Sequence, residues 1–401
     1  MKYSKVTTCR CCKSSNLDKI LNLGKQPLAN SYHTDIIQDT FPLSLNLCLD
    51  CWHLQLSIVV KPELLYKEYL YVSGTTKTLR RYFKVFAEEA VRESGRKIGR
   101  VLDIACNDGS QLDAFQARGW QTYGVDPAEN LHALSTKKGH RVRCEYWGTK
   151  TARQINHTFD VITAQNVFAH TDDVDDFLQG CQNVMEKTST LYIQTSQADM
   201  VLNNEFDTIY HEHLSYFSIN SMQKCLERNG MSLVNVYKAP VHGNSFVFVI
   251  KKGLTFFSGV STKKAIEEEK NNGLHTYETY IEYARKCKKV VKDLGACIKE
   301  FRKRDFTVVG YGAAAKGNTL LNFGKIDLDY IVDDNSLKWG LLTPGRNIEI
   351  RSPVTLKKGS DKLLIVPLAW NFFTEIKEKV TKLRKRDYDT YIKYFPSLEI
   401  I

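Results

Sequence analysis

Runs of β-forming apolar residues alternate with helix-like patterns through residues 76–250, and this alternation is the clearest structural signal in the chain. Strands that alternate with helices of ordinary length predict a doubly wound α/β sheet with parallel strands. The strand-like runs are 100–104, 121–125, 159–163, 190–194 and, later, 245–250.

The segments on either side have different patterns. Residues 1–75 combine cysteines and turn residues with short strand-like pieces at 43–47 and 54–60. Residues 263–304 repeat apolar side chains at three- and four-residue steps, which predicts one long helix or a pair of helices joining two domains. A second α/β alternation follows, with strand-like runs at 306–309, 330–332 and 363–366. The pattern predicts three domains: 1–75, 76–262 and 263–401.

Composition narrows the class of protein. The chain has 401 residues, of which 43% are hydrophobic and 25% charged, as in ordinary globular proteins. No apolar run approaches 18 residues and the N-terminus lacks a signal-like apolar core, so we expect a cytoplasmic protein without a membrane partner. The net charge of +11 is scattered over runs with helical spacing, which favours solvated helix faces, although a phosphorylated substrate would fit as well.

Two short-spaced cysteine pairs predict a metal site. Cys9-x-x-Cys12 and Cys48-x-x-Cys51 supply four thiolates, the ligand set of a tetrahedral structural zinc. The alternative is chance placement of ordinary thiols, and Cys11 could replace Cys9 in another register. Because protein would fill all four positions, we expect this zinc to be structural and not to hold a catalytic water.

A loop between a predicted strand and a predicted helix is a candidate ligand site. Asp103 lies near the end of the strand at 100–104, Gly109 lies in the loop before the helix, and Asp126 ends the next strand. In open parallel sheets the ligand binds at the carboxyl ends of the strands, where Asp103 could hold an amino group and Asp126 a ribose. The dinucleotide fingerprint of three glycines is missing. Asn166, in the stretch 164–170, should face the same crevice.

The densest cluster of potentially catalytic side chains is the run from Tyr210 to Phe217. A reaction at a carbon atom next to a ketone needs a base that removes its proton and a donor that stabilises the oxyanion of the resulting enolate. A histidine suits the first task near neutral pH and a tyrosine hydroxyl the second. By itself such a run is more often a surface loop, and His211 or His213 could be an ordinary hydrogen-bonded residue.

Taken in order, these features resemble the nucleotide-sugar C-methyltransferases that make branched deoxysugars, and among them the antibiotic-sugar 3-C-methyltransferases. The resemblance covers nearly the whole chain. Besides the cysteine pairs, it rests on LGKQPL at 23–28, Tyr71 with SGT at 73–75, CNDG at 106–109, YHEH at 210–213, PVHGN at 240–244, GYGAAAK at 310–316 and AWN at 369–371.

The resemblance implies a small N-terminal zinc-binding domain, a central Rossmann-like class I methyltransferase domain and a C-terminal Rossmann-like α/β domain. It implies S-adenosylmethionine (SAM) and zinc as cofactors, and a nucleotide-linked 4-keto deoxysugar, with thymidine (dTDP) as the usual nucleotide, methylated at C3. His213 would be the base with Glu212 beside it. The residues expected around the other groups are Tyr210, Tyr71 and His170 for the sugar, Asp103, Asn107, Gly109, Asp126 and Asn166 for SAM, Gly310, Gly312 and Lys316 for the nucleotide, and Cys9, Cys12, Cys48 and Cys51 for zinc.

Few positions depart from the family pattern. Ala105 stands where a glycine is usual, and His211 could be the base instead of His213. The spacing GxGxxxxG from Gly310 argues against a second nicotinamide site. One rival is a zinc-ribbon nucleic-acid-binding protein with a degenerate methyltransferase fold, but no aromatic and basic residues interleave near the cysteines, so we expect no nucleic-acid partner. A second rival is an O- or N-methyltransferase acting on a small molecule.

Overall fold

The computed structural model describes residues 2–34, 39–66, 73–75, 77–195, 199–239, 241, 245–256, 258–357, 362–386 and 388–401. The N-terminal elements are β1 (Tyr3–Lys5), β2 (Leu17–Gln26), β3 (Phe41–Cys48), β4 (Leu54–Leu56), β5 (Ile58–Val60), α1 (Glu63–Tyr66) and α2 (Lys77–Ser94). The central elements are β6 (Arg100–Ile104), α3 (Ser110–Gln116), β7 (Gln121–Val125), α4 (Glu129–Lys137), β8 (Arg141–Arg143), α5 (Thr149–Ala152), β9 (Phe159–Gln165), α6 (Val174–Asn183), β10 (Met185–Thr195), β11 (Ser215–Tyr216), α7 (Ile219–Arg228), β12 (Met231–Ala239) and β13 (Ser245–Lys252).

The C-terminal elements follow as two helices and a second α/β alternation. They are α8 (Val260–Asn271), α9 (Tyr277–Lys303), β14 (Phe306–Tyr311), α10 (Ala315–Gly324), β15 (Tyr330–Val332), β16 (Ile350–Arg351), β17 (Lys362–Pro367), α11 (Phe373–Arg384), β18 (Thr390–Lys393) and β19 (Glu399–Ile400). Short 3-10 helices cover Ser73–Thr75, Phe168–His170, Ser336–Lys338, Pro353–Lys357 and Trp370–Phe372.

A seven-stranded sheet forms the centre of the chain, in the order β8-β7-β6-β9-β10-β13-β12. The strands from β8 to β10 are parallel, as the sequence predicts. β13 is antiparallel to both neighbours, so the expectation of a parallel strand at 245–250 is wrong. Only five residues separate β12 from β13, whereas a parallel connection needs a crossover of a dozen or more.

Two apolar cores cover the two faces of this sheet. On β6, Leu102 and Ile104 pack into the core beneath α6 and α7, while Val101 packs into the opposite core beneath α2 and α3. Successive side chains of a strand point to opposite faces, so this strand is buried on both sides. Helices on both faces of a mostly parallel sheet are the doubly wound arrangement.

The N-terminal region forms a four-stranded antiparallel sheet in the order β2-β3-β4-β11. Its last strand comes from far along the chain, since Ser215 and Tyr216 pair with Gln55 and Leu54. The candidate catalytic run therefore ends as a strand of the N-terminal sheet.

The segment between the central and C-terminal sheets is a pair of helices, one of the two alternatives that the sequence left open. α8 and α9 are separated by residues 272–276, where Gly273 has φ +78°. The C-terminal sheet has six strands in the order β16-β15-β14-β17-β18-β19, all parallel except β19. Among the helices that the structure describes, none is long and apolar enough to cross a membrane.

One apolar core joins the N-terminal sheet to the C-terminal region. It contains Leu45 of β3, Phe206 before the catalytic run, Tyr283 of α9 and Leu364 of β17. The segment that precedes the candidate catalytic run thus lies between the N-terminal sheet and the C-terminal region.

Candidate active site

Four cysteine sulfurs lie together at the N-terminal end of the molecule. The Sγ atoms of Cys9, Cys12, Cys48 and Cys51 all lie within 4.8 Å of one another, with Cys9–Cys51 at 3.6 Å and Cys12–Cys48 at 3.5 Å. A tetrahedron with Zn–S bonds of about 2.3 Å has edges of roughly 3.8 Å, so this donor set fits zinc. Cys11 is outside the group of four and interacts with Cys225 as well as with Cys9.

The cysteine cluster is fastened to the candidate catalytic run. Arg10, between two of the cysteines, is buried and donates from Nη1 to the main-chain oxygen of Leu214 over 3.3 Å. Its guanidinium also pairs with Asp172 at 3.0 Å. His53 lies between β3 and β4, and its Nε2 is 3.2 Å from the hydroxyl of Ser215. A metal that organises this region therefore also organises the backbone next to His213.

The loop after β6 is built on alternating left-handed residues. Ala105, Asn107 and Gly109 have φ of 61°, 51° and 76°. Asn107 donates its main-chain N–H to Asp126 Oδ2 over 2.8 Å, and Ala128 donates its own to Asp126 Oδ1 over 2.9 Å. Ala105 thus adopts the conformation that glycine takes most easily, and a methyl side chain is accommodated there.

Asp103 and Asp126 lie at the carboxyl ends of the adjacent strands β6 and β7, as predicted. Asp103 is buried and accepts a 3.2 Å hydrogen bond from Gln111 Nε2. Burial, and secondarily the charges of Asp126 and Asp108, raise the pKa of Asp103 well above its ordinary value. A cationic ligand group would oppose this rise and restore the carboxylate.

Several buried polar atoms around this loop have no hydrogen-bond partner among the described residues. They are Gln111 Oε1, Gln165 Nε2, Asn166 Oδ1 and Gln194 Nε2. They come from the start of α3 and the carboxyl ends of β9 and β10, around the same crevice. Because buried polar groups are nearly always paired, such a group of atoms fits a polar ligand with both donors and acceptors, as SAM has.

His213 is held in one orientation by its own chain. Its Nδ1 lies 2.8 Å from the main-chain oxygen of Thr208, and its Nε2 lies 2.9 Å from the hydroxyl of Tyr210. A carbonyl oxygen only accepts, so Nδ1 carries the hydrogen and a neutral ring has its lone pair on Nε2. The nitrogen with the lone pair, Nε2, therefore faces the hydroxyl of Tyr210.

His170 places His213 beside the crevice. The two rings lie 5.1 Å apart, and the N–H of Leu214 donates to the oxygen of Ala169 over 2.8 Å. His170 follows β9, whose carboxyl end also carries Asn166. Burial lowers the pKa of His170 to about 4.

The neighbours of His213 point elsewhere. His211 Nε2 lies 3.2 Å from the oxygen of Pro42, and its ring packs against Phe41 of the N-terminal sheet. Glu212 is buried and accepts a 2.7 Å hydrogen bond from Asn30, and burial raises its pKa to about 7. The structure thus brings His213, and not His211, to Tyr210 and His170.

The predicted nucleotide loop lies at the carboxyl end of β14. Gly312 has φ 89°, and a Cβ there would lie 2.9 Å from the Cβ of Ala369. Lys316, in the first turn of α10, places Nζ 5.1 Å from the centre of the Trp370 ring. Gly310 is enclosed by apolar side chains and so belongs to the packing of the loop.

Some residues around the site were not singled out by the sequence as site residues. Thr208 and Asn30 contact His213 and Glu212 directly, and Trp370 contacts Lys316. Trp370 lies in the AWN motif, which offered a signal; Thr208 acts through a main-chain oxygen and offered none. Tyr71 lies outside the described residues, as do most residues of the motif 240–244.

Three known families match successive parts of the chain. Residues 9–66 match a proposed zinc binding domain, residues 74–236 a methyltransferase domain, and residues 240–396 a C-methyltransferase C-terminal domain.

Individual proteins are similar to this chain over different lengths. The C-methyltransferase NovU of Streptomyces niveus is 27% identical over 384 residues, which cover 92% of this chain and 91% of NovU. A ubiquinone biosynthesis O-methyltransferase of Rhodopseudomonas palustris is 32% identical over 104 residues, covering 24% of this chain and 39% of that protein. Magnesium protoporphyrin IX methyltransferase of Synechocystis, solved with bound SAM, covers 43% of this chain and 79% of its own at 13% identity and a TM-score of 0.34.

The expected cofactors, SAM and zinc, are confirmed by these matches together with the four-sulfur cluster. The likeness to NovU extends over all three matched regions and not the methyltransferase region alone. The chain is therefore a SAM-dependent methyltransferase, and over most of its length it is similar to a C-methyltransferase, with regions that match a zinc-binding domain and a C-methyltransferase C-terminal domain.

Proposed function

We propose that this enzyme methylates C3 of a nucleotide-linked 4-keto deoxysugar, with thymidine as the nucleotide, through an enolate that His213 generates. The observation that carries the proposal is the hydrogen bonding of His213. Its Nδ1–H is fixed on the oxygen of Thr208, which leaves Nε2 as the basic atom beside Tyr210. A positioned imidazole with a defined basic nitrogen is suited to removing a proton next to a ketone.

The choice of His213 over His211 rests on their surroundings. His211 is occupied by the main-chain oxygen of Pro42 and packs against Phe41, away from the crevice. Burial lowers its pKa to about 4, which makes it a weak base. His213 lies against His170, next to the loop that follows β9.

Two groups that contact His213, Tyr210 and His170, would hydrogen-bond to the sugar. The hydroxyl of Tyr210 can move from His213 Nε2 to the developing oxyanion at C4 as the histidine takes up the C3 proton. Burial lowers the pKa of His170 to about 4, so its ring is neutral at pH 7, and Glu212, hydrogen-bonded to Asn30, is the residue next to the base in the chain. Tyr71 belongs to the same expected set.

The methyl donor is held on the other side of the crevice. Bound there, SAM supplies a methyl group on a positively charged sulfur. Asp103 would pair with its amino group, Asp126 with its ribose, and the unpartnered Asn166 Oδ1 with a further donor. The left-handed loop through Asn107 and Gly109 presents main chain to the ligand. The enolate carbon must be held against this methyl group, so exclusion of water and fixed placement matter more than additional charge.

The nucleotide would bind at the C-terminal sheet. The loop from Gly310 to Lys316 opens α10, and a helix N-terminus with a nearby lysine favours a diphosphate. The nucleotide-sugar itself is proposed from the resemblance of the ordered motifs to the nucleotide-sugar C-methyltransferases, and the likeness to NovU supports the C-methylation.

Solvent-deuterium exchange tests the reaction directly. The zinc-loaded enzyme is incubated in D₂O with dTDP-linked 4-keto deoxysugars and without SAM, and deuterium at C3 is followed by mass spectrometry. We expect wash-in with the true substrate, and a gain of one methyl when SAM is added. An O- or N-methyltransferase would add the methyl group without any exchange at C3.

The variant His213→Asn tests the base. We expect it to abolish both exchange and methylation while SAM affinity, measured by calorimetry, stays unchanged, because Asn keeps a hydrogen-bonding side chain but cannot take up the proton. His211→Asn is the matched control and should retain most of the turnover. Near-normal turnover of His213→Asn would overturn the assignment.

A further inference from the structure

The peptide segment that orients His213 lies on the C-terminal region. Phe206 packs against Phe323 of α10 with ring centres 5.3 Å apart. Thr319 of the same helix donates its hydroxyl to the main-chain oxygen of Ile209 over 3.1 Å. Thr208, whose oxygen holds His213 Nδ1, therefore lies between two contacts with α10.

A side-chain hydrogen bond closes this arrangement. Trp370 donates its indole N–H to Asp207 Oδ2 over 2.7 Å. Asp207 is fully buried and directly precedes Thr208. Burial raises the pKa of Asp207, and Lys316 and the Trp370 N–H oppose the rise, so both groups favour the carboxylate. Lys316 in turn lies over the Trp370 ring.

We propose that Asp207 and Trp370 are positioning residues for the base: their hydrogen bond ties the Thr208 carbonyl, and through it the His213 imidazole, to the C-terminal sheet. The proposal rests on the proposed function in taking His213 as the base. Neither Asp207 nor Trp370 touches the imidazole, so their effect passes through the backbone.

The geometry explains why this bond would matter more than an average packing contact. An error of about 1 Å in the position of a base can lower its rate roughly 100-fold. The Thr208 oxygen belongs to a loop without helix or strand hydrogen bonds of its own, between β10 and β11. Its position therefore depends on what its neighbours contact, and Asp207 is the neighbour whose own buried carboxylate accepts a hydrogen bond, from the indole N–H of Trp370. Removing such a hydrogen bond should lower the rate of proton removal by a factor of about 10 to 100.

The test uses the zinc-loaded, full-length enzyme and the variant Trp370→Phe, which keeps a ring against Lys316 but deletes the indole N–H. We expect kcat and the rate of C3 exchange without SAM to fall about 10- to 100-fold together. KM for the sugar and for SAM should stay within about twofold, since neither ligand contact is removed. The matched control is Trp120→Phe, because Trp120 lies at the opposite, amino end of β7 and should leave kcat unchanged.

Two further variants separate positioning from general destabilisation. Asp207→Asn keeps an oxygen that accepts from Trp370 and should retain activity within about threefold, whereas Asp207→Ala should match Trp370→Phe. The double variant of Trp370→Phe with Asp207→Ala should be no slower than either single variant, as expected for residues that act through one bond.

Each outcome is decisive. Parental kcat and exchange in Trp370→Phe would overturn the proposal, and so would a rise in KM alone, which would make Trp370 a nucleotide-binding residue. If Asp207→Ala does not fold, Trp370→Phe with its Trp120→Phe control still decides. Exchange that survives in His213→Asn would instead overturn the proposed base, while an inactive His213→Asn with a fully active Trp370→Phe would overturn only the positioning role.

Discussion

Ala105 is a residue whose backbone conformation suits glycine better than an L-residue. It adopts φ 61° in the loop that precedes α3. A left-handed conformation costs an L-residue roughly 1–2 kcal/mol, while glycine loses about 0.5–1 kcal/mol in chain entropy on folding. Replacing Ala105 by glycine removes the cost of the left-handed conformation and adds the cost in chain entropy. The first of these is the larger.

We therefore expect Ala105→Gly to raise the free energy of unfolding by about 1 kcal/mol, with SAM affinity unchanged. Urea denaturation measures the first and calorimetry the second. Ala90→Gly, in the interior of α2, is the matched control and should lower stability by about 1 kcal/mol. Destabilisation by both variants would show that the Ala105 methyl group makes a packing contribution larger than its backbone cost.

Glu212 predicts a pH dependence of stability. Its pKa rises from 4.5 to about 7 on folding, mainly through burial, so the folded state keeps a proton that the unfolded chain has lost. This stabilising contribution is complete below about pH 4.5 and is lost as the pH rises through about 7. Glu212→Gln removes the titration but keeps an oxygen that can accept from Asn30.

The parent should thus lose roughly 3 kcal/mol of stability relative to Glu212→Gln between pH 4.5 and pH 8. Urea denaturation at several pH values in this interval measures the difference. Glu205 also has a pKa raised to about 7, but it is common to both proteins and cancels in the comparison. Parallel curves for the two proteins would contradict the assignment.

At the scale of elements, the two-residue strand β11 links the cysteine cluster to His213, the proposed base. β11 begins two residues after His213 and pairs with β4, whose sheet carries Cys48 at the end of β3. Arg10 adds its bond to Leu214 from inside the first cysteine pair. The cysteine cluster therefore supports the backbone next to His213, the proposed base.

Loss of the metal should accordingly reduce turnover more strongly than it reduces the affinity for SAM. We expect Cys48→Ser to lose zinc and at least tenfold in kcat, while SAM affinity changes less than about threefold, because a structural zinc stabilises its own region. Metal analysis, steady-state kinetics and calorimetry measure the three quantities. Cys297→Ser, in α9 outside the cluster, should behave as the parent. Equal losses in SAM affinity and kcat would contradict this division.

The elements also show what sequence alone could predict. The parallel strands of the central sheet, the four cysteines and the loop after β6 follow from local patterns that have a physical cause. The antiparallel direction of β13 follows from its short link to β12. The pattern of apolar residues within β13 does not indicate that direction. The contact of Asn30 with Glu212 joins residues 182 positions apart. Thr208 acts through its carbonyl, which every residue type has.

At the scale of the whole molecule, the N-terminal sheet and the C-terminal region share one core. Phe206 lies in it with residues of β3 and β14, whereas the central sheet packs in two other cores, one of which also contains cysteines of the N-terminal cluster. Regions that are far apart in the sequence therefore belong to one cooperative unit of the structure.

Phe206→Ala should destabilise this shared core by about 3–5 kcal/mol. Amide hydrogen exchange followed by mass spectrometry should show faster exchange in β3 and β14 together, with β6 and β7 little changed. Phe86→Ala, in the core between α2 and the central sheet, should give the reverse pattern. Faster exchange in β14 alone would mean that the two regions unfold independently.

The junction around residues 205–216 also bears on recombination between relatives. A chimera that takes its last 140 or so residues from a homologue, in order to accept another nucleotide, would receive Thr319 and Trp370 from one parent and Ile209 and Asp207 from the other. Unless both parents share these pairs, the hybrid would bind donor and acceptor normally yet turn over slowly. Grafts that also carry the loop from β10 to β11 would keep the matched partners together.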